Sequence, residues 1–266
     1  MLHILVREAF DDIKEGFGQI GLAHLINTHR RRSNYHRSSL GMFYISLTTL
    51  AWALGLGLLS SILGGRDPGA LVPYVGLGIS VWIMLSGLVA GGADVFISGF
   101  RLTSQMRLPY SLIIFTHLIQ SLQQISFRLP VVLILILFHP NGSYTGLPFA
   151  LLGVIIILMC GFGLSLFLGI FAARFRDVKN VIEVGLQLGL FLSGIFWDPS
   201  ALGEWEWLMV FNPFYQAIEA VRGPLLGHAD WVFNLIYISI LAIVLNVLGV
   251  VVFVFCRRKI PYWVSM

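Results

Sequence analysis

Five polar side chains recur along one apolar run: His117, Gln120, Ser121, Gln124 and Arg128. Counted from His117, the offsets are 3, 4, 7 and 11 residues, which align them on one face of a helix. In a bilayer such a stripe has two uses. It lines a path for a polar solute, or it hydrogen-bonds to neighbouring helices. In the second case Arg128, about 24 Å along a helix entering near Leu112, extends to the outer headgroups. Lys179, Glu183 and Gln187 form a second stripe at i, i+4 and i+8. Glu183 and Gln187 are candidates for the same path, although Lys179 and Glu183 also suit a simple helix-stabilising pair. Asp94 is expected to pair with Arg101 or with the basic segment near the N-terminus.

A third group is aromatic. Trp197, Trp205, Trp207, Phe211, Phe214 and Tyr215 crowd into one short segment. Isolated residues such as Trp82 and Trp231 fit an interfacial aromatic belt. The crowd exceeds what anchoring needs, and suits a gate that closes against ions and touches sugar rings. Other chemistry is missing. The sequence holds no G-x-x-x-x-G-K-[ST] phosphate loop, no H-E-x-x-H and no G-x-S-x-G. Cys160 and Cys256 show neither disulfide nor zinc spacing and read as packing residues. The chain is therefore not expected to be an enzyme, to hydrolyse ATP alone, or to bind a metal or cofactor of its own.

The elements that position these residues are membrane helices. Of the 266 residues 57% are hydrophobic and 11% charged, about half the charge of a soluble domain. Mean hydropathy is +0.86. The formal net charge of +4 is too small to suggest a nucleic-acid partner. The first thirty residues mix charges with apolar residues and show no signal-peptide core. A spanning helix needs about 20 apolar residues. Five runs qualify, and helices are expected at 40–63, 70–94, 109–138, 147–172 and 231–256. A sixth, 180–197, holds only 14 uncharged residues from Val184 to Trp197. It crosses only if Lys179 and Glu183 sit at its cytoplasmic edge. The segment 199–228, broken by Pro199, Pro213 and Pro224, reads as short helices re-entering from the outer side.

Charge supports this count. With six crossings both termini share a side. Placing them in the cytoplasm puts there all of the 17 Lys and Arg residues except Arg66 and Arg222, assigned to outer loops, and Arg128 within a span. Before the first span, Val6, Phe10, Ile13, Phe17 and Ile20 mark an amphipathic helix on the inner membrane surface. HRRRSNYHR, residues 29–37, follows as a basic linker beside anionic headgroups. The fold class is thus all-α and integral to the membrane. A single domain, 1–266, is expected, with 1–37 as interface helix and linker. Gly87-x-x-x-Gly91 and Gly185-x-x-x-Gly189 match the small-residue packing pattern.

Three segments resemble the type-2 ABC exporter permeases of bacterial polysaccharide export, the O-antigen, capsule and teichoic-acid family. They are YHRSSLGMFY at 35–44, Phe175-Arg176-Asp177 leading into LQLGLFLSGIFW, and NPFYQAIEAVRGPLLG at 212–227. The resemblance is greatest to the O-antigen permease. It implies a homodimer that pairs with two copies of a separate nucleotide-binding ATPase, which handles ATP and magnesium. It implies a lipid-linked polysaccharide as substrate and the bacterial plasma (inner) membrane as location. It also implies that 98–108, with Arg101, Gln105 and Arg107, couples to the ATPase, and that 199–228 forms outer gate helices. The alternatives are a type-2 permease for a small lipid or drug, and an ATP-independent channel or secondary transporter.

Overall fold

A computed structural model describes residues 2–35, 41, 43–65, 67–106 and 108–265. Among them no strand occurs. The α-helices are α1 (Leu2–Gly18), α2 (Ile20–Tyr35), α3 (Phe43–Gly64), α4 (Pro68–Met106), α5 (Tyr110–Phe138), α6 (Leu147–Arg174), α7 (Asp177–Leu192), α8 (Leu208–Phe211), α9 (Pro213–Leu226), α10 (Trp231–Cys256) and α11 (Ile260–Ser265). Five stretches are long and apolar enough to cross a membrane: Phe43–Gly64, Pro68–Phe100, Tyr110–Phe138, Tyr144–Arg174 and Trp231–Val264. They overlap the five apolar runs of the sequence, and they make this a multi-pass membrane protein.

α4 is the central post. Of its most apolar window 67% is buried, against 22% for α3. It touches α3, α5, α6, α7 and α9. Its 39 residues extend about 58 Å, nearly twice the hydrocarbon thickness. Residues 98–106 are therefore the end of this one helix, and not a separate short helix after a span that stops at 94. Nothing between Ala93 and Met106 breaks a helix; Pro109 does, by disfavouring helix in the residue before it. Opposite α4, α6 and α10 pack at very close range. A Cβ on Gly163 would lie 2.6 Å from the Leu245 carbonyl, and one on Gly249 2.5 Å from the Gly163 oxygen. Of the two small-residue motifs, Gly87 and Gly185 face open space. Their partners do not: a Cβ on Gly91 would lie 2.3 Å from the His117 ring and one on Gly189 3.0 Å from the Trp82 ring, so only one glycine of each motif marks a close approach.

Three boundaries differ from the sequence reading. α7 covers Asp177–Leu192, at 16 residues about 24 Å long, and stops five residues before 197. Gly194 turns the chain there at φ 63. Two side chains replace the missing helical partners: Trp197 Nε1 donates to the Phe191 carbonyl at 2.9 Å and Asn212 Nδ2 to the Leu192 carbonyl at 2.8 Å. The segment before α9 contains a 3-10 stretch, Pro199–Trp205, and the four-residue α8. The expected linker HRRRSNYHR begins as helix, since residues 29–35 complete α2; residues 36 and 37 lie outside the described set.

At the N-terminus the buried stripe only partly coincides with the hydrophobic one. Ala9, Asp12 and Gly16 of α1 pack inward, while Phe10 is 56% and Phe17 64% exposed. α2 continues the inward stripe with Ala23 and Asn27, whose Nδ2 donates to the Thr116 carbonyl at 2.6 Å. Of the expected apolar stripe, Val6 and Ile13 pack against the core beside Ala9, Phe17 meets the Phe115 ring edge to face at 5.9 Å, and Phe10 stays exposed.

Candidate functional site

The polar stripe of α5 meets α4 at the end of the bundle that carries α1 and α2. There His117, Gln120, Ser121 and Gln124 line a cavity of about 280 Å³, with Asp94 and Ser98 of α4 opposite and Arg30 of α2 at its edge. His117 Nε2 lies 3.4 Å from the Leu88 carbonyl. Gln120 is exposed and Gln124 half-buried, and neither makes a hydrogen bond among the described residues. Arg128 stands one turn beyond Gln124 and does not line the cavity. It is 5% exposed, so it does not extend to solvent or headgroups. Its Nε and Nη1 have no hydrogen-bond partner among the described residues.

The second stripe divides differently. Lys179 Nζ donates to Asp94 Oδ1 at 3.0 Å, so Asp94 is paired across to α7; the Arg101 side chain lies outside the described residues. This leaves Glu183 and Gln187 exposed on α7, outside the cavity. The expected i, i+4 pairing of Lys179 with Glu183 gives way to a contact that joins two helices.

The opposite end of the bundle holds a second cavity, of about 360 Å³. Asp67, Asp198, Glu206, Glu219 and Asp230 face it, together with Tyr74, Tyr215 and His228. Among the described residues no group of His, Cys, Asp and Glu is arranged to hold a metal ion. The aromatic crowd splits around this end. Trp205, Trp207 and Phe211 are 62%, 53% and 70% exposed, with the Trp207 and Phe211 rings edge to face at 6.1 Å. Trp197 is half-buried and tied to α7. Phe214 turns inward onto Trp82, with centroids 5.3 Å apart, and Tyr215 faces the cavity.

Beneath that cavity lies a network the sequence reading did not anticipate. Arg222, assigned above to an outer loop, is 0% exposed within α9. Its Nε donates to Glu219 Oε1 at 2.8 Å, Nη1 to the Tyr74 carbonyl at 3.3 Å, and Nη2 to the Tyr74 hydroxyl at 2.9 Å and the Gly194 carbonyl at 3.2 Å. Glu219 Oε2 also lies 2.8 Å from His228 Nδ1. The charge is buried with its donors satisfied, which ties α4, α9 and the end of α7 together. One signal was present: Glu219 and Arg222 stand at i, i+3 in an apolar run, a spacing that pairs them on one helix face.

The residues expected to couple to an ATPase sit at the far end of α4. Arg101 and Gln105 belong to its last turns; their side chains, and Arg107 altogether, lie outside the described residues.

Residues 24–226 match the family described as ABC-2 type transporter. No curated protein sequence matches the chain. The family match covers α3 to α9 and most of α2, and with them the whole α4–α5 cavity and the outer cavity apart from His228, Asp230 and Asn234. A bundle of apolar helices with a continuous central post, and a family match over well over half its length, give one conclusion: the chain belongs to the ABC-2 type transporter family, as the membrane permease component of a transporter that works with an ATP-binding subunit.

Proposed function

We propose that this permease exports a lipid-linked, O-antigen-like polysaccharide outward across the bacterial plasma membrane. The observation that carries the reading is the α5 stripe. Gln120 and Gln124 face a cavity and make no hydrogen bond within the described chain, so they are not serving as interhelical glue. Polar groups left free along a path replace a sugar's water contacts one after another, and weak contacts at many positions let a polymer move on. The exposed rings of Trp205, Trp207 and Phe211 at the other end offer apolar faces to sugars.

In this reading α7 is the fifth of six crossings, held at its cytoplasmic edge by Lys179 and Asp94. Both termini are cytoplasmic, and 199–228 dips in from the outer side. Two copies pair with two ATPase subunits. α7 buries only Leu186 and Gly189, which leaves Val181, Val184, Leu188 and Phe191 free for a second copy. The ATPase acts on the end of α4 through Arg101, Gln105 and Arg107. As α4 is continuous, a push there is carried as a rigid tilt to Tyr74 and the Arg222 network.

A second reading has one observation in its favour. An apolar cleft of about 240 Å³ opens between α5 and α6, flanked by Leu122, Leu129 and Leu151. Such a cleft suits a small lipid as cargo. Deletion of the gene distinguishes the two. Glycan export predicts loss of surface glycan and accumulation of its lipid-linked precursor in the cytoplasm. Unchanged surface glycan with altered membrane lipid would replace it by the second reading.

A further inference from the structure

The cleft between α5 and α6 is floored by α4 and α9, and both of its walls are membrane-crossing helices. Leu122 and Leu129 of α5 and Leu151 of α6 flank it, 42%, 49% and 59% exposed. Three polar residues reach its lining, and each is engaged within the chain. Ser80 Oγ donates to the Gly76 carbonyl at 2.7 Å and Ser126 Oγ to the Leu122 carbonyl at 2.9 Å. Arg222 is held by Glu219, Tyr74 and Gly194. A polar group entering here would lose its water without gaining a partner. The cleft offers dispersion and apolar contact, so its occupant is apolar.

Shape narrows the choice further. Along α5 the lining runs from Leu122 to Val132, which is about 15 Å of helix. That is half of a hydrocarbon core about 30 Å thick, the depth of one leaflet. On α6 the lining takes in only the first turns, from Leu147 to Val154, so the cleft lies in the half of the bundle that carries α9. Its volume is about 240 Å³. A helix of another chain, about 10 Å across, would occupy several times that volume over the same length. A slender apolar rod one leaflet deep is what fits. We infer that the cleft seats one acyl chain of a membrane phospholipid, drawn from the leaflet on the α9 side, as a resident lipid and not as cargo. The chain completes the packing between α5 and α6. It also backs Val221 and Leu225 of α9, and so steadies the helix that carries Arg222. The inference stands apart from the nature of the main cargo, and it competes with the small-lipid reading of the same cleft.

The test places the full chain in vesicles of phosphatidylcholine that carries a photoactivatable diazirine in one acyl chain, and maps the cross-linked peptides by mass spectrometry. Residues 122–132 and 147–154 should label several-fold more than Ile236, Ile240 and Ile243, which are exposed on α10. Ala150, 5% exposed, lines the cleft. Ala150→Phe fills it, and should lower labelling there several-fold while leaving α10 labelling unchanged. Should Ala150→Phe not assemble, Leu151→Phe serves in its place, with the same expected loss. Equal labelling of the cleft and α10 shows ordinary boundary lipid and overturns the inference, as does unchanged cleft labelling in the filled variant. A disulfide between copies through Leu129→Cys, in a chain with Cys160 and Cys256 replaced, also overturns it and gives this face to a second copy. Loss of cleft labelling during ATP turnover with the partner ATPase overturns residence and moves the cleft to the small-lipid reading. Glycan export is not read in this experiment, so its result is independent of the deletion strain.

Discussion

Ser111 donates two hydrogen bonds to Asp12 across 99 residues of chain: its N–H to Asp12 Oδ1 at 3.0 Å, and its hydroxyl to the Asp12 carbonyl at 2.7 Å. Oδ2 accepts from the Tyr110 N–H at 3.2 Å and from Arg257 Nε at 2.9 Å. Pro109, just before α5, supplies no side-chain cap. A carboxylate from α1 thus does the work of an N-cap for another helix, where its charge also faces the positive end of the helix dipole.

Asp12→Ala removes this cap and leaves Arg257 short of a partner. The expected loss is roughly 2–4 kcal/mol, from the cap and the charged hydrogen bond together. Asp12→Asn keeps an acceptor but no charge and loses about half as much. Thermal unfolding in detergent measures both, and hydrogen exchange in α1 should rise more than in α6.

The neighbouring pair, Glu8 with Arg258, predicts a pH response. The Arg258 hydrogen bond, aided by the charges of Arg258 and Arg257, holds the Glu8 carboxyl below its ordinary value of 4.5. Its contribution is therefore complete above 4.5 and disappears as the pH falls through the lower folded value. Exchange of the α1 amides should quicken on acidification through that window, and Glu8→Gln should abolish the step. An unchanged acid response in Glu8→Gln would remove the pair from the account.

The Arg222 network predicts asymmetry between single and double changes. Glu219→Gln leaves a buried guanidinium without its counter-charge and should cost roughly 3–5 kcal/mol. Glu219→Leu with Arg222→Leu removes both charges and should cost less than Glu219→Gln alone. Tyr74→Phe removes one hydroxyl and should cost about 1–2 kcal/mol. Thermal melts of the three variants give the order directly.

Gly163→Ala should force α6 and α10 apart, because the added methyl meets the Leu245 backbone and not a flexible side chain. The expected cost is about 1–3 kcal/mol. Gly185→Ala, with nothing within 4 Å in the chain, should instead stabilise the helix by up to about 1 kcal/mol. Should Gly185→Ala weaken self-association of the purified chain, α7 is covered by a second copy.

What could be read from the sequence followed from how local each signal was. Five apolar helices were legible because long uncharged runs have no other stable place. The α5 stripe was legible because its spacing lies within one helix. Asp94 was not, since its partner Lys179 comes 85 residues later. Arg222 was misplaced because the charge count set it among the outer loops, although its segment read as a short helix; Pro213 starts α9 and Pro224 falls in its last turn, with Arg222 buried between them. The helical form of residues 29–35 was hidden by their charge, which resembles that of a solvated linker. Asp12 gave no local hint, since the helix it caps begins 98 residues further on.

The central claim is that the α5 stripe faces the transported solute, and cysteine accessibility tests it most directly. In a chain with Cys160 and Cys256 replaced by Ala, single cysteines are placed at 117, 118, 120, 122 and 124 and exposed to a charged, membrane-impermeant thiol reagent in the presence of the partner ATPase. The account predicts that 117, 120 and 124 label several-fold faster than 118 and 122, and faster still during ATP turnover. Equal labelling at all five positions would contradict it and return the stripe to helix packing.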